Sequence, residues 1–260
     1  MPHDPWIDLS TTSLPREVQA IRHAIALALK AMDPQRPGQT IGQARAGVYA
    51  FYDFDGEPLY VGQTAEGFGM RIGRHLTGQR SDAVARHVLD PFEVQTVSMW
   101  SLPEIGALPF RERKAALDPY GFTVYHKLLA QSSFGAILNE GDIHPGPLQE
   151  LPEPVVRIIV PSDIFPDRSH PDVRIARQAR TLSLLANSIT ERRVSSGLRR
   201  TLVTQTARLN SLTQRRLEAL ERDLQAVDEM DVPIPEDSLA EPDYFSEFDE
   251  SDDSTGNLPD

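Results

Sequence analysis

Two tyrosines, Tyr49 and Tyr60, are followed in the chain by an arginine and a histidine four residues apart, Arg71 and His75. Each tyrosine sits in a short apolar triplet, Gly47-Val48-Tyr49 and Tyr60-Val61-Gly62. Hydrolysis of a phosphodiester needs a base for water, positive charge against the phosphate and usually a divalent metal. A tyrosine hydroxyl beside a cation can donate or act as base, although its ordinary pKa of about 10 requires help from its surroundings. Arginine grips phosphate through a paired fork of donors, and histidine moves protons near neutrality. Taken singly, these four read as half-buried strand tyrosines and a solvated helix face. Taken in this order, with a Gly62-Gln63-Thr64 turn between them, they point to one pocket.

The elements that must position them are legible in outline. Gly47 to Phe54 and Pro58 to Thr64 are β-rich runs joined across Asp55-Gly56, a dipeptide that tolerates the positive φ of a tight hairpin. Antiparallel pairing lets Tyr49 and Tyr60 approach on one face. A helix starting near Met70 puts Arg71 and His75 on one side, since residues four apart are neighbours there. The alternation over 92–102 suits a third strand. Helices are expected over 14–32, where Val18, Ile21, Ile25, Leu29 and Met32 keep helical spacing, and over 122–131. The run from Phe134 to Leu138 leads into Asn139.

These residues resemble the GIY-YIG endonuclease family, with Val48 and Val61 in place of the two isoleucines. The resemblance covers roughly Arg45 to Glu140. It implies an α+β domain whose three-stranded antiparallel sheet is flanked by helices, cutting DNA with one divalent metal, commonly magnesium (manganese as a substitute). By that likeness Tyr49 and Tyr60 line the site and assist water, Arg71 stabilises the phosphate, and His75 fills a position held by His or Tyr in part of the family. Gly47, Gly62 and Thr64 belong to the same motifs, and Asn139 matches an asparagine near the domain's end. The family's metal-binding glutamate lies about a dozen residues before that asparagine; here the stretch reads Tyr125-His126-Lys127-Leu128. Magnesium requires hard oxygen ligands. Glu140 is the preferred substitute, Glu112 or Asp118 could reach in from earlier, or the ligand is lost and the domain only binds nucleic acid.

Composition frames this reading. With no cysteine, disulfides and thiolate metal sites are excluded, as suits a reducing cytoplasm. No run approaches the roughly 20 apolar residues of a membrane span, and the first residues lack the pattern of a signal peptide. The formal charge of -12 is unevenly placed. Residues 231–260 hold eleven acids and no base, leaving the rest of the chain at only -1. Between 171 and 222 stand eleven arginines against four acids. Those arginines could contact a phosphate backbone or form the solvated face of a packing helix, and the tail could fold back over them. Leucines from Leu198 to Leu224, with Val227, follow a 3-4 spacing that suits an amphipathic helix and a homodimeric coiled coil through 198–227. The expected organisation is a leader and helix over 1–39, a nuclease-like domain over 40–141, a Pro-rich linker over 142–171, an Arg-rich helical region over 172–230, and a disordered acidic tail over 231–260. A short edge strand at Val155 to Val160 would interrupt the linker. His23, His87, His126, His144 and His170 show no metal-ligand spacing.

Overall fold

The computed structural model describes residues 16–76, 88–139, 143–191 and 194–229. The acidic tail at 231–260 and Glu140 lie outside the described residues, as does the side chain of His75. The chain divides into two units between Arg216 and Leu217. The first is α+β, as the sequence indicates, but its sheet has four strands rather than three. Strands β1 (Gly47–Tyr52), β2 (Pro58–Thr64), β3 (Thr96–Ser101) and β4 (Val155–Ile158) are all antiparallel, in the order β2-β1-β3-β4. The fourth strand comes from the Pro-rich stretch. None of its prolines falls within 155–158, so Val155 to Ile158 can pair with β3 while the prolines on either side mark its ends.

Both faces of the sheet are covered, which is why β1 and β3 are buried on alternate and intervening residues alike. Tyr49, Phe51, Val97 and Met99 face helices α1 (Arg16–Ala28), α2 (Phe68–Leu76), α6 (Pro171–Glu191) and the start of α7 (Ser196–Glu229). Val48, Ala50, Val61 and Trp100 face α3 (Pro103–Ala107) and α4 (Phe110–Gln131). Helix α1 ends at Ala28, earlier than expected; Met32 is exposed and bridges to Thr40 in extended geometry instead. Helix α4 begins twelve residues before the expected Phe122 and runs through Pro119. Arg-Glu-Arg-Lys-Ala-Ala-Leu ahead of the proline are strong helix formers, and α4 absorbs a break that costs about 3 kcal/mol. The short helix α5 (Phe165–Ser169) places Arg168 flat on the Phe92 ring, 4.0 Å from its centroid.

The β1–β2 hairpin turns at Asp55-Gly56, with Gly56 at φ 76°. Asp53 fastens it. One carboxylate oxygen accepts from the backbone N–H groups of Asp55 and Glu57 at 2.8 and 2.9 Å. The other receives Arg174 of α6 at 3.5 Å and Arg208 of α7 in a very short contact. Asp53, Arg174 and Arg208 are all buried. Arg174 also donates to Asp55 at 2.9 Å and Glu93 at 3.3 Å, and Arg215 donates to Asp55 at 3.0 Å. Arg216 forms a fork with Asp172 at 2.8 and 2.9 Å. Four of the arginines that the sequence offered to a phosphate backbone are therefore engaged within the chain. Leu198, Leu202 and Leu212 likewise pack inward, which removes the proximal half of the expected coiled-coil stripe. In the second unit Leu217, Leu220 and Leu224 are exposed. No described helix is long and apolar enough to cross a membrane.

Removing one member of a buried ion pair leaves uncompensated charge and costs about 3–5 kcal/mol. Asp53→Ala is expected to lose that much in urea unfolding. Asp53→Asn, which keeps the turn bonds but not the charge, should lose less. A loss under about 1 kcal/mol for the alanine variant would refute the role given to this carboxylate. Asp55 supplies a pH signature. Burial alone would raise its pKa, but hydrogen bonds from Arg215 and Arg174 outweigh that and hold it at about 2. Because the folded value lies below the unfolded one of about 3.9, its contribution is complete above that value and disappears as pH falls towards 2. Asp55→Asn should flatten stability against pH across this window; an unchanged slope in urea midpoints would contradict the assignment.

Candidate functional site

The hairpin register places Tyr49 opposite Gly62 and Tyr60 opposite Phe51. The two tyrosines are thus diagonal neighbours on one face, with ring centroids 6.3 Å apart. Tyr49 is fully buried and Tyr60 half-buried. Gly62 is needed for steric reasons: a Cβ there would stand 2.2 Å from Tyr49 Cζ and 2.3 Å from its hydroxyl oxygen, so the ring lies across the glycine. Gly47 has a different task. A Cβ would meet the Trp100 carbonyl at 2.3 Å and Phe68 Cζ at 2.4 Å. Phe68, the first residue of α2, is sealed against the sheet there and so fixes where Arg71 begins its reach.

Thr64 shapes the connection between β2 and α2. Its hydroxyl donates to the Gly67 carbonyl at 3.0 Å and accepts from the Gly67 N–H at 3.0 Å. Gly67 adopts φ 112°, which only glycine takes readily. From α4, Arg113 donates to the Ala65 carbonyl at 3.0 Å, tying the helix to the same turn. Thr64 is thus an architectural residue.

Arg71 joins the two tyrosines. Partial burial works against its charge, but the Tyr49 and Tyr60 phenols, a hydrogen bond with Tyr49, and Glu66 outweigh this and raise its pKa above the ordinary value. Its Nε is buried with no hydrogen-bond partner among the described residues. Tyr60 and Arg71 open onto a cleft of about 790 Å³ between the edge of β2 and α4. Of the four residues singled out for chemistry, Tyr49, Tyr60 and Arg71 converge. The backbone of His75 belongs to α2, one turn beyond Arg71. Asn139 lines the same cleft, but its side-chain amide is occupied: it accepts from Val61 N–H at 3.1 Å and donates to the Val61 carbonyl at 2.8 Å. It closes the exposed edge of β2 as a further strand residue would.

The wall facing β2 comes from the part of α4 that sequence reasoning left out. Phe110, Lys114, Leu117 and Gly121 recur at spacings of four, three and four along one helical stripe, with Arg111 beside them. Gln63 lies against Gly121, where a Cβ would come within 1.9 Å of its Nε2. This stripe was readable once the helix was allowed to pass through Pro119. Lys127 is exposed.

Among the described residues the cleft offers no donor set that fits a divalent ion. Among the described residues no group of three or more His, Asp or Glu side chains could hold a metal. Glu66 is the one carboxylate among the described residues lining the cleft, and Arg74 already pairs with it. Glu112 and Asp118 do not line it. In place of an acidic wall, α4 presents Arg111 and Lys114, neither with an ion-pair partner among the described residues.

Gly62→Ala is expected to force the Tyr49 ring out of place and cost about 1–3 kcal/mol, the usual range for overpacking. In the Tyr49→Ala background the same change should cost far less, giving a coupling within the roughly 0.5–3 kcal/mol seen for contacting residues. Additive losses in a double-mutant cycle would show that the ring does not rest on the glycine.

Comparison with known proteins finds no matching family model, no matching curated protein and no matching solved structure.

Proposed function

We propose that the cleft between β2 and α4 binds a phosphodiester of nucleic acid, DNA in the first instance, and that the chain acts as a binding module of GIY-YIG-like design rather than a metal-dependent nuclease. The observation that carries this is Arg71. Its guanidinium is held by Tyr49 beside Tyr60, its Nε is buried without a hydrogen-bond partner among the described residues, and it opens onto a cleft whose opposite wall is cationic. A buried donor left unpaired costs free energy until a ligand supplies an acceptor, and a phosphate oxygen matches a guanidinium in charge and shape. Tyr60, at the cleft, would donate to a second oxygen of the same phosphate. The described donors offer no set able to hold magnesium or manganese, so no hydrolytic step is assigned to them.

A second reading, a DNA endonuclease assisted by a divalent ion, is favoured by one observation. Asn139 lines the cleft, and Glu140 follows it directly in the chain. The carboxylate would have to come from Glu140, with His75 beside Arg71 as proton carrier.

The two readings separate in one experiment. Wild type, Arg71→Ala, Tyr49→Phe and Glu140→Gln are incubated with supercoiled plasmid in magnesium or manganese, and their affinity for labelled DNA is measured by anisotropy. The binding reading expects no nicking by any variant and a weakening of about tenfold or more in Arg71→Ala, as loss of a charged hydrogen bond implies. Nicking that vanishes in Glu140→Gln would replace it with the nuclease reading. Absence of DNA binding by wild type under all conditions would sink both.

A further inference from the structure

We infer that the α4 wall of the cleft is a track for a single strand of nucleic acid, with Lys114 and Arg111 supplying the positive charge that a divalent ion would otherwise bring and Phe110 offering a platform for an unpaired base. The inference rests on the phosphodiester reading of the cleft and adds which strand form it takes and with which side chains.

Three observations point the same way. Lys114 and Arg111 line the cleft opposite Arg71 and have no ion-pair partner among the described residues, whereas Arg113 between them is committed to the carbonyls of Ala65 and Leu108. Unpaired cations flanking a groove are the electrostatic footprint of a phosphate backbone. Phe110 is 60% exposed at the beginning of the same stripe. A large aromatic left in water beside cations is what base stacking requires, and stacking tolerates any base because each has a π-face. Finally, Gly121 and the Gln63 side chain fill the far end of the stripe. The groove is bounded there by packing and has no acid from α4 to repel a backbone or recruit a metal. An acidic peptide would satisfy the cations but gain nothing from Phe110, so nucleic acid is the better match.

The test uses the full chain and fluorescence anisotropy with an oligothymidylate of ~15 nucleotides, within the span of typical single-strand sites. A hairpin duplex of the same charge and a poly-glutamate peptide serve as competitors. Wild type, Phe110→Ala, Lys114→Ala, Arg111→Ala and Arg71→Ala are compared in EDTA and in magnesium, with circular dichroism melts confirming that each folds. The expected result is oligothymidylate binding of equal strength with and without EDTA. Phe110→Ala should weaken it about tenfold while leaving the duplex unaffected. Lys114→Ala and Arg111→Ala should each weaken it and lower the slope of log affinity against log salt by about one. Binding abolished by EDTA overturns the substitution of cations for metal. Duplex bound more tightly than single strand, with Phe110→Ala neutral, overturns the strand assignment. Poly-glutamate displacing the oligonucleotide at equal charge overturns the choice of ligand. If Arg71→Ala weakens binding while Phe110, Lys114 and Arg111 variants do not, the cleft reading stands and this inference fails. If none of the four variants matters, both fail.

Discussion

The buried carboxylate of Asp53 holds the hairpin turn with one oxygen and receives Arg174 and Arg208 with the other, so the strand pair that carries both tyrosines is fastened to two distant helices at one point. Burying a charge is unfavourable unless it is paired and hydrogen-bonded, and each partner here is itself buried. The arrangement therefore tolerates little rearrangement: moving α6 or α7 would strand a charge in the interior. Glu93 extends the constraint to the segment before β3, accepting from Arg174 and from Gln178 at 3.0 Å. Burial pushes the Glu93 carboxyl up, with Arg174 and Gln178 pulling it back. Register in the hairpin, and hence the diagonal placement of Tyr49 and Tyr60, follows from this fixed turn.

From that register the cleft follows by steric reasoning. With Tyr49 opposite Gly62, the missing side chain is what lets a phenol lie flat across β2 towards Arg71. Arg71 reaches them because Phe68, three residues earlier, is pinned over Gly47. Three groups from three elements meet without any of them being on a free loop, and such rigid placement is what a binding site needs to avoid ordering costs when a ligand arrives. The same rigidity explains Asn139. Its amide lies in the cleft yet serves the backbone of Val61, so it shapes the floor of the groove rather than contacting a ligand.

Much of this was legible in the residues, and the failures have identifiable causes. The hairpin, the shared face of the tyrosines and the helix bearing Arg71 follow from local rules, namely Asp-Gly in a turn, period-2 strands and residues four apart on a helix. The helix expected over 122–131 starts instead at Phe110 and passes through Pro119, so that expectation left out Phe110, Arg111 and Lys114; local propensity counts a proline against a helix, while packing on the sheet decides whether the helix survives it. The edge strand expected at Val155 to Val160 is present over Val155–Ile158, but its place as a fourth strand of the sheet follows only from its pairing with β3, far back in the chain. The arginines of α6 and α7 show the deepest limit. Sequence reveals eleven like charges in a helical stretch, but not that Asp53, Asp55 and Glu93, more than eighty residues away, are waiting for them.

That last point bears on where nucleic acid would bind. A net count favours the Arg-rich stretch, since residues 171–222 hold eleven of the chain's 26 lysines and arginines against four acids. Geometry reverses the order. Arg174 and Arg208 are buried against carboxylates, Arg215 and Arg216 are paired, and a phosphate could recruit them only by displacing bonds that hold the fold. Arg180, Arg199 and Arg200 are exposed on the helices, and none of them lines the cleft. Arg71, Arg111 and Lys114 are fewer, yet they stand on facing walls of one cleft beside two aromatic side chains. Field strength in a concave, partly dry site exceeds that of the same charges spread over a convex helix, because low-dielectric walls confine the field. Three converging cations there would outweigh a larger number dispersed elsewhere, which is why the cleft rather than the arginine-rich helices is the surface proposed for nucleic acid.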